Sequence, residues 1–261
     1  MEYTIITGAC GGLGKAFAEE LAVRKQPLLL LGRSENRLQQ LAEELAKKYD
    51  VPTLTYALDL TDLEARKGFE EYLTSQSISV ARLVNVAGVD IQKGFVDYTQ
   101  EKIAFQCRVN FEGAVSLCKM ALSKKAKTLE IINISSVSGI YPMPYFAIYS
   151  ASKRALHSFS VALREEVKGQ GVKVTAVLPG AIPTRDDIKE QIRGQGLWGK
   201  LAAKSPAFVA KSSLRAVQKN KRAYIPGFCN QLMNVFTKCI PLSWKLKFIA
   251  KRWSKISKDA F

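Results

Sequence analysis

A tyrosine and a lysine stand four residues apart in "AIYSASKRAL", Ala147 to Leu156, a segment that reads as the start of a helix. Positions i and i+4 share a helix face, so Tyr149 and Lys153 would lie side by side. A free phenol has a pKa of about 10 and is a poor acid–base catalyst at neutrality. A neighbouring ammonium favours the phenolate and would make such a tyrosine useful. Nine tyrosines in a lysine-rich chain can also produce the spacing by chance, so the pair needs company.

Company comes from the other end of the chain. In "TGACGGLG", Thr7 to Gly14, an apolar run turns into a helix through Gly8, Gly11, Gly12, Leu13 and Gly14. Glycines let backbone approach a pyrophosphate without a Cβ in the way, and the helix N-terminus offers free N–H groups and a positive dipole end. The G-K-[ST] ending of a P-loop is missing. The next apolar run ends in "LGRS", where NAD sites usually carry an acidic residue for the ribose 2′-OH. Arg33 stands there and suits a 2′-phosphate, so NADP(H) is expected in preference to NAD(H). Asp59, followed by Leu60 in "LDLTD", could accept a hydrogen bond from an adenine amino group, or could cap the following helix, a role that Asp62 fits better.

These residues need a scaffold. "YTIIT" (3–7), "PLLLLG" (27–32), "TLTYAL" (53–58), "ARLVNVAG" (81–88), "LEIINIS" (129–135) and "VKVTAVLPG" (172–180) read as strands apolar on both faces. Amphipathic segments alternate with them. One is "SENRLQQLAEELAKKYD" (34–50), with Ser34 as N-cap and leucines at helical spacing. The alternation implies right-handed βαβ crossovers and an α/β, Rossmann-type doubly wound parallel sheet. "KRAYIPG" (221–227) could add a seventh strand. The chain enters its first strand at about residue 3, which leaves no room for a signal or transit peptide. No apolar run suits a bilayer span. Five cysteines without metal-ligand spacing read as reduced thiols, and His157 reads as a packing or surface residue, so no metal site is expected.

In this order the motifs resemble those of the short-chain dehydrogenase/reductase family, in its ketoacyl reductase and hydroxysteroid dehydrogenase-like branch. The resemblance runs from Tyr3 to about Gly227 and rests on "TGACGGLG" (7–14), "NVAG" (85–88), "VNFEG" (109–113), "NISS" (133–136), "YSASK" (149–153) and "PGAIPT" (179–184). It implies hydride transfer between a nicotinamide cofactor and a carbonyl or secondary alcohol. Tyr149 would give the proton in reduction and take it in oxidation. Lys153 would activate it and hold the nicotinamide ribose. Ser136 would bind the substrate oxygen, and Asn110 would anchor a water in a proton relay. Asn85, Ala87 and Gly88 would line the adenosine side, mostly through backbone. Pro179, Gly180 and Thr184 would frame the nicotinamide amide and the pyrophosphate. Ser135 is expected to point away from Ser136, and Ser138 to serve in backbone capping. Two positions depart from the pattern. Val86 replaces a second asparagine, and Cys10 stands where NADP-dependent members often carry a basic or hydroxyl residue.

The charge is uneven. Residues 1–184 hold 22 Lys and Arg against 19 Asp and Glu, while residues 185–261 hold 17 against 4. The chain thus divides into a dinucleotide-binding domain (1–227) and a basic amphipathic extension (228–261), broken near Pro241. Residues 185–204 would form a helical substrate lid, with Leu197 and Trp198 as its apolar residues, or would only pack on the body. The extension, with Trp244, Phe248 and Trp253, could lie on a membrane surface, cover the pocket or pack on a second subunit. The last two readings are favoured because so many bulky residues exceed what a soluble surface helix exposes. The helices at about 100–124 and 149–168 carry Phe105, Val109, Val115, Leu117, Leu156, Phe159, Val161 and Leu163, more than one sheet face requires, so a homodimer or homotetramer is expected. Together these features describe a cytoplasmic enzyme for small apolar ketones or 3-oxoacyl-type substrates, with peripheral membrane contact as an option. A non-catalytic NADP-sensing protein on the same fold is the alternative, and the intact Asn110, Ser136, Tyr149 and Lys153 set argues against it. Nucleic acid is not an expected partner, because no recognition motif is present.

Overall fold

The computed structural model describes residues 1–194 and 201–254. Seven strands form one sheet, paired in parallel throughout: β1 (Glu2–Thr7), β2 (Leu28–Gly32), β3 (Thr53–Ala57), β4 (Ser79–Asn85), β5 (Lys125–Ile134), β6 (Val172–Val177) and β7 (Ala223–Tyr224). Their order is β3-β2-β1-β4-β5-β6-β7. The chain winds outward from β1 in one direction and from β4 in the other. The carboxyl ends of β1 and β4 therefore diverge into a crevice, the usual ligand position in such sheets.

The double-sided apolar pattern of the strands is realised residue by residue. Ile6, Leu28 and Leu30 face one core with α1 (Gly12–Ala22), α2 (Glu35–Tyr49) and α8 (Pro206–Gln218). Ile5, Leu29 and Leu31 face the other, with α3 (Leu63–Ser75), α5 (Gly113–Ser123) and α6 (Ala147–Glu166). Alternate side chains of a strand point to opposite faces, so neighbours in sequence feed different cores. β7 exists as expected but is only two residues long, pairing with Ala176 and Val177.

Local details differ from the sequence expectation in two places. The helix expected over 100–124 is interrupted: α4 (Gln100–Cys107) passes through a π-helical turn (Arg108–Glu112) before α5. Such turns add a residue to the helical repeat and recur at functional sites, and this one carries Asn110. Ser34 occupies the N-cap position of α2, but its hydroxyl makes no capping bond. Asp62 does cap α3, accepting from the N–H groups of Glu64 and Ala65.

Beyond β6 lies α7 (Asp186–Gly194), within the segment expected to form a lid. Leu197 and Trp198 lie outside the described residues. The described residues end in α9 (Phe228–Lys238) and α10 (Leu242–Trp253), with Pro241 at the break, as the sequence suggests. Within the single chain their bulky side chains are not all covered, and Phe228, Phe236, Trp244 and Phe248 are exposed. No described helix is long and apolar enough to cross a membrane. All five cysteines are free thiols, and no metal-ligating cluster occurs among the described residues.

Candidate active site

The glycine loop is built around close approach. Gly8 has φ +60°, a left-handed conformation that favours glycine. A Cβ on Gly14 would lie 2.1 Å from the Gly8 carbonyl oxygen and 2.8 Å from Ala9 Cα, both rigid backbone. One on Gly12 would lie 2.9 Å from Thr184 Cγ2, so Thr184 sits directly over the loop. Helix α1 starts beyond Gly11 with no side-chain cap and no acidic residue in its first turn. Its first N–H groups thus lack a side-chain acceptor, which suits an anion.

Beside the loop, a cavity of about 170 Å³ runs along the crevice. Gly8, Arg33, Asp59, Leu60, Ala87 and Gly88 line it. Its floor is held by Thr7, whose Oγ1 accepts from the N–H groups of Val86 (2.9 Å) and Ala87 (3.0 Å). Asp59 spends one carboxylate oxygen on the Thr61 N–H and hydroxyl, both at 2.8 Å, which fixes the turn after β3. Asn85 is placed differently from the rest. Its amide is buried beneath the loop, donating to Asn133 Oδ1 (2.8 Å) and the Ala114 carbonyl (3.1 Å). The glycine cradle, the uncapped helix start and the strand-end arginine together fit a dinucleotide phosphate group.

The second cluster assembles where β4, β5, the π turn and α6 meet. Asn110 is buried and locked by backbone in both directions. Its Oδ1 accepts from Val89 N–H (2.8 Å), and its Nδ2 donates to the Val89 carbonyl (2.9 Å) and to Ser152 Oγ (3.1 Å). Lys153, one helical turn beyond Tyr149, donates to the Ile134 carbonyl at 2.9 Å. Gly88 touches both: a Cβ there would lie 3.0 Å from Lys153 Nζ and 3.2 Å from Asn110 Oδ1. Ser136 accepts from the Ser138 N–H at 3.0 Å, and its hydroxyl is close enough to the Tyr149 phenol to oppose the rise of that phenol's pKa. Ser135 turns the other way, donating to the Lys153 carbonyl at 2.7 Å. The Pro179 carbonyl accepts from Val137 N–H at 3.0 Å, tying the loop after β6 to the serine turn.

Burial dominates the electrostatics. It pushes the Tyr149 phenol up to about 12, with the Asp90 carboxylate adding to the rise and the Ser136 hydroxyl and Arg185 opposing it. Burial drives Lys153 down to about 8, against a smaller opposing pull from Asp90. The Lys153 ammonium nitrogen is 5.9 Å from the Tyr149 ring centroid. In this environment the phenol is therefore neutral at physiological pH. The effect expected from the neighbouring ammonium is outweighed by desolvation, which penalises both charged forms. A neutral phenol is the form that donates a proton to a carbonyl oxygen.

Four neighbours escaped the sequence reading. Asp90 and Arg185 form an ion pair at 2.8 Å beside Tyr149, joining the loop after β4 to the loop after β6. Arg37, in the first turn of α2, donates to the Cys10 carbonyl at 3.2 Å and brings a second guanidinium to the edge that holds Arg33. Its i+4 spacing from Arg33 was a usable signal. Phe146 packs against Tyr149 with ring centroids 4.5 Å apart, and Trp253 stacks on Phe146 at 6.2 Å and 13°. The Phe146–Trp253 and Asp90–Arg185 contacts are so distant in sequence that they leave no local signal.

Known proteins share the family and the fold. The family model "short chain dehydrogenase" matches residues 2–193. A very-long-chain 3-oxoacyl-CoA reductase of Bos taurus is 34% identical over 229 residues, covering 85% of this chain and 70% of that protein. Its Homo sapiens counterpart is 33% identical over 191 residues, and there the chain spans only 60% of that protein. Among solved structures, L-sorbose reductase from Gluconobacter frateurii, complexed with NADPH and L-sorbose, is 27% identical with a TM-score of 0.76, covering 86% of this chain and 94% of that one. A 7beta-hydroxysteroid dehydrogenase shares the fold at a TM-score of 0.82 and 23% identity over 95% of this chain and 96% of that one. With the family model spanning most of the chain, the chain belongs to the short-chain dehydrogenase family of oxidoreductases.

Proposed function

We propose that the protein is an NADP(H)-dependent reductase of apolar ketones, with 3-oxoacyl thioesters as the leading substrate class. The observation that carries this reading is the convergence of Ser136, Tyr149, Lys153 and Asn110 at the mouth of the glycine-lined crevice. Gly8, Gly11, Gly12, Leu13 and Gly14 would hold the pyrophosphate, with Thr184 above them. Arg33, joined by Arg37, would take the 2′-phosphate. Asp59, Leu60, Ala87 and Gly88 would line the adenosine side, with Asn85 bracing that loop from below through its buried amide. Lys153 would hold the nicotinamide ribose, and Pro179 and Gly180 its amide. The bound cofactor supplies the hydride.

Ser136 and Tyr149 would share the substrate oxygen as it gains negative charge, and the neutral Tyr149 hydroxyl would deliver the proton. The phenolate left behind sits near Lys153, whose pKa of about 8 lets it return a proton near neutrality. Asn110, fixed by three hydrogen bonds, would anchor the water that reconnects Lys153 to solvent. The 3-oxoacyl preference is supported by the curated relatives, which are reductases of that substrate class. We further propose a cytoplasmic homodimer or homotetramer. Phe105, Val109, Val115, Phe159 and Val161 remain only partly buried in the single chain, whereas Leu117, Leu156 and Leu163 are spent on its own core. The direct test is NADPH oxidation on a panel of ketones and 3-oxoacyl thioesters, with NADH in parallel. No turnover with any of them would remove the reading.

A further inference from the structure

The C-terminal helices leave more large apolar side chains exposed than a soluble helical hairpin does. A helix on a globular body normally turns its apolar stripe inward. Here the sole buried residue of α9 is Asn230, and α10 has none. The inner side mixes polar bonds with the half-buried Leu246, Ile249 and Ala250. Asn230 donates to the carbonyls of Ala202 and Pro226, both at 2.9 Å. The Thr237 and Tyr141 hydroxyls pair at 3.1 Å, and Lys245 donates to the Thr237 carbonyl at 3.0 Å. Trp253 alone brings a large ring inward, onto Phe146 beside the catalytic tyrosine.

The outer face is apolar and cationic. Phe228 is 74% exposed, Phe236 64%, Trp244 69% and Phe248 74%, with Val235 and Leu242 between them. Monomeric soluble proteins rarely leave such a patch open. Between Gln191 and Lys258 the sequence has fifteen Lys and Arg and no acidic residue. A second copy is a poor occupant, since an isologous contact would press this cationic face against itself. A surface combining acyl chains with negative headgroups satisfies both properties.

We propose that α9 and α10 form an interfacial docking surface for anionic bilayers, with Phe236, Trp244 and Phe248 in the acyl boundary and the lysines at the headgroups. The stack from Trp253 through Phe146 to Tyr149 places the cleft mouth beside the docked face. Docking is a property of these helices alone and stands or falls apart from the reductase reading.

The full-length protein is sedimented with phosphatidylglycerol-containing vesicles and with pure phosphatidylcholine vesicles, at low and high salt. Wild type is expected to pellet with the anionic vesicles, bind neutral ones weakly, and partly resist salt. Phe236→Glu/Trp244→Glu/Phe248→Glu, all at exposed sites, should lower partitioning by about tenfold or more while NADPH binding and circular dichroism stay unchanged. Lys238→Glu/Lys247→Glu/Lys251→Glu should abolish the preference for anionic lipid. Wild type left in the supernatant at low salt would overturn the proposal. So would a triple-glutamate variant that binds as wild type does, or one whose only change is a smaller oligomer in light scattering, since a second copy would then be the occupant.

Discussion

Tyr149 and Lys153 carry opposite pKa shifts for one reason, the cost of holding charge away from water. The consequence is visible in the stability of the ligand-free protein. Lys153 binds fewer protons folded than unfolded, because its pKa falls from 10.5 to about 8. Its contribution is fully present above 10.5 and is lost as pH falls through about 8, so stability from this residue rises with pH across that window. Tyr149 acts oppositely at higher pH: its contribution is complete below 10 and is lost as pH rises through about 12. Lys153→Met should flatten the rise between pH 8 and 10.5 in denaturant titrations, and an unchanged slope would mean that Lys153 is solvated. At the other end of the crevice, Arg33 should decide cofactor choice. A charged hydrogen bond contributes about 1.5–3 kcal/mol, so Arg33→Ala should raise the KM for NADPH by about 10–100-fold and leave that for NADH nearly unchanged. Arg37→Ala should act in the same direction with a smaller effect. A wild type that prefers NADH would contradict the assignment.

The elements work by holding backbone close to backbone. Gly14 is the strictest case, since a methyl group would meet the Gly8 carbonyl and Ala9 Cα with nothing flexible to give way. Gly14→Ala should therefore destabilise the protein by about 1–3 kcal/mol or more and abolish NADPH binding, read by thermal melts with and without cofactor. Normal binding would show that the loop adapts. The π turn is the counterpart on the other side, where one extra residue lets the Asn110 amide grip Val89 from both directions. Strand and helix identity were legible because apolar runs and amphipathic periods report burial directly. The glycine loop was legible because its spacing is local. The π turn was not, because "FQCRVNFEGAV" has ordinary helical spacing and its irregularity comes from a tertiary contact. The placement of Asn85 was hidden likewise: sequence puts it in the cofactor loop, and only packing turns its amide toward Asn133. The Asp90–Arg185 pair spans 95 positions and leaves no local trace.

At the scale of the molecule, a near-neutral body carries a cationic end. The sequence showed the charge imbalance but not its geometry. Periodicity says that a helix has an apolar face, and only the packed structure says which way the face looks. The remaining half-buried side chains on α4, the π turn, α5 and α6 bear on assembly. Phe105→Glu/Phe159→Glu should convert the proposed homodimer or homotetramer to a monomer in light scattering. A wild type that is already a concentration-independent monomer would contradict the assembly.

The central claim is proton delivery by Tyr149 to a carbonyl reduced with NADPH. The most direct measurement is NADPH oxidation with a 3-oxoacyl thioester by wild type and Tyr149→Phe, with NADPH binding measured alongside by fluorescence. Removing one hydroxyl should lower kcat by about 10²–10⁴-fold with NADPH affinity little changed. Near-normal turnover in Tyr149→Phe would remove Tyr149 from the mechanism.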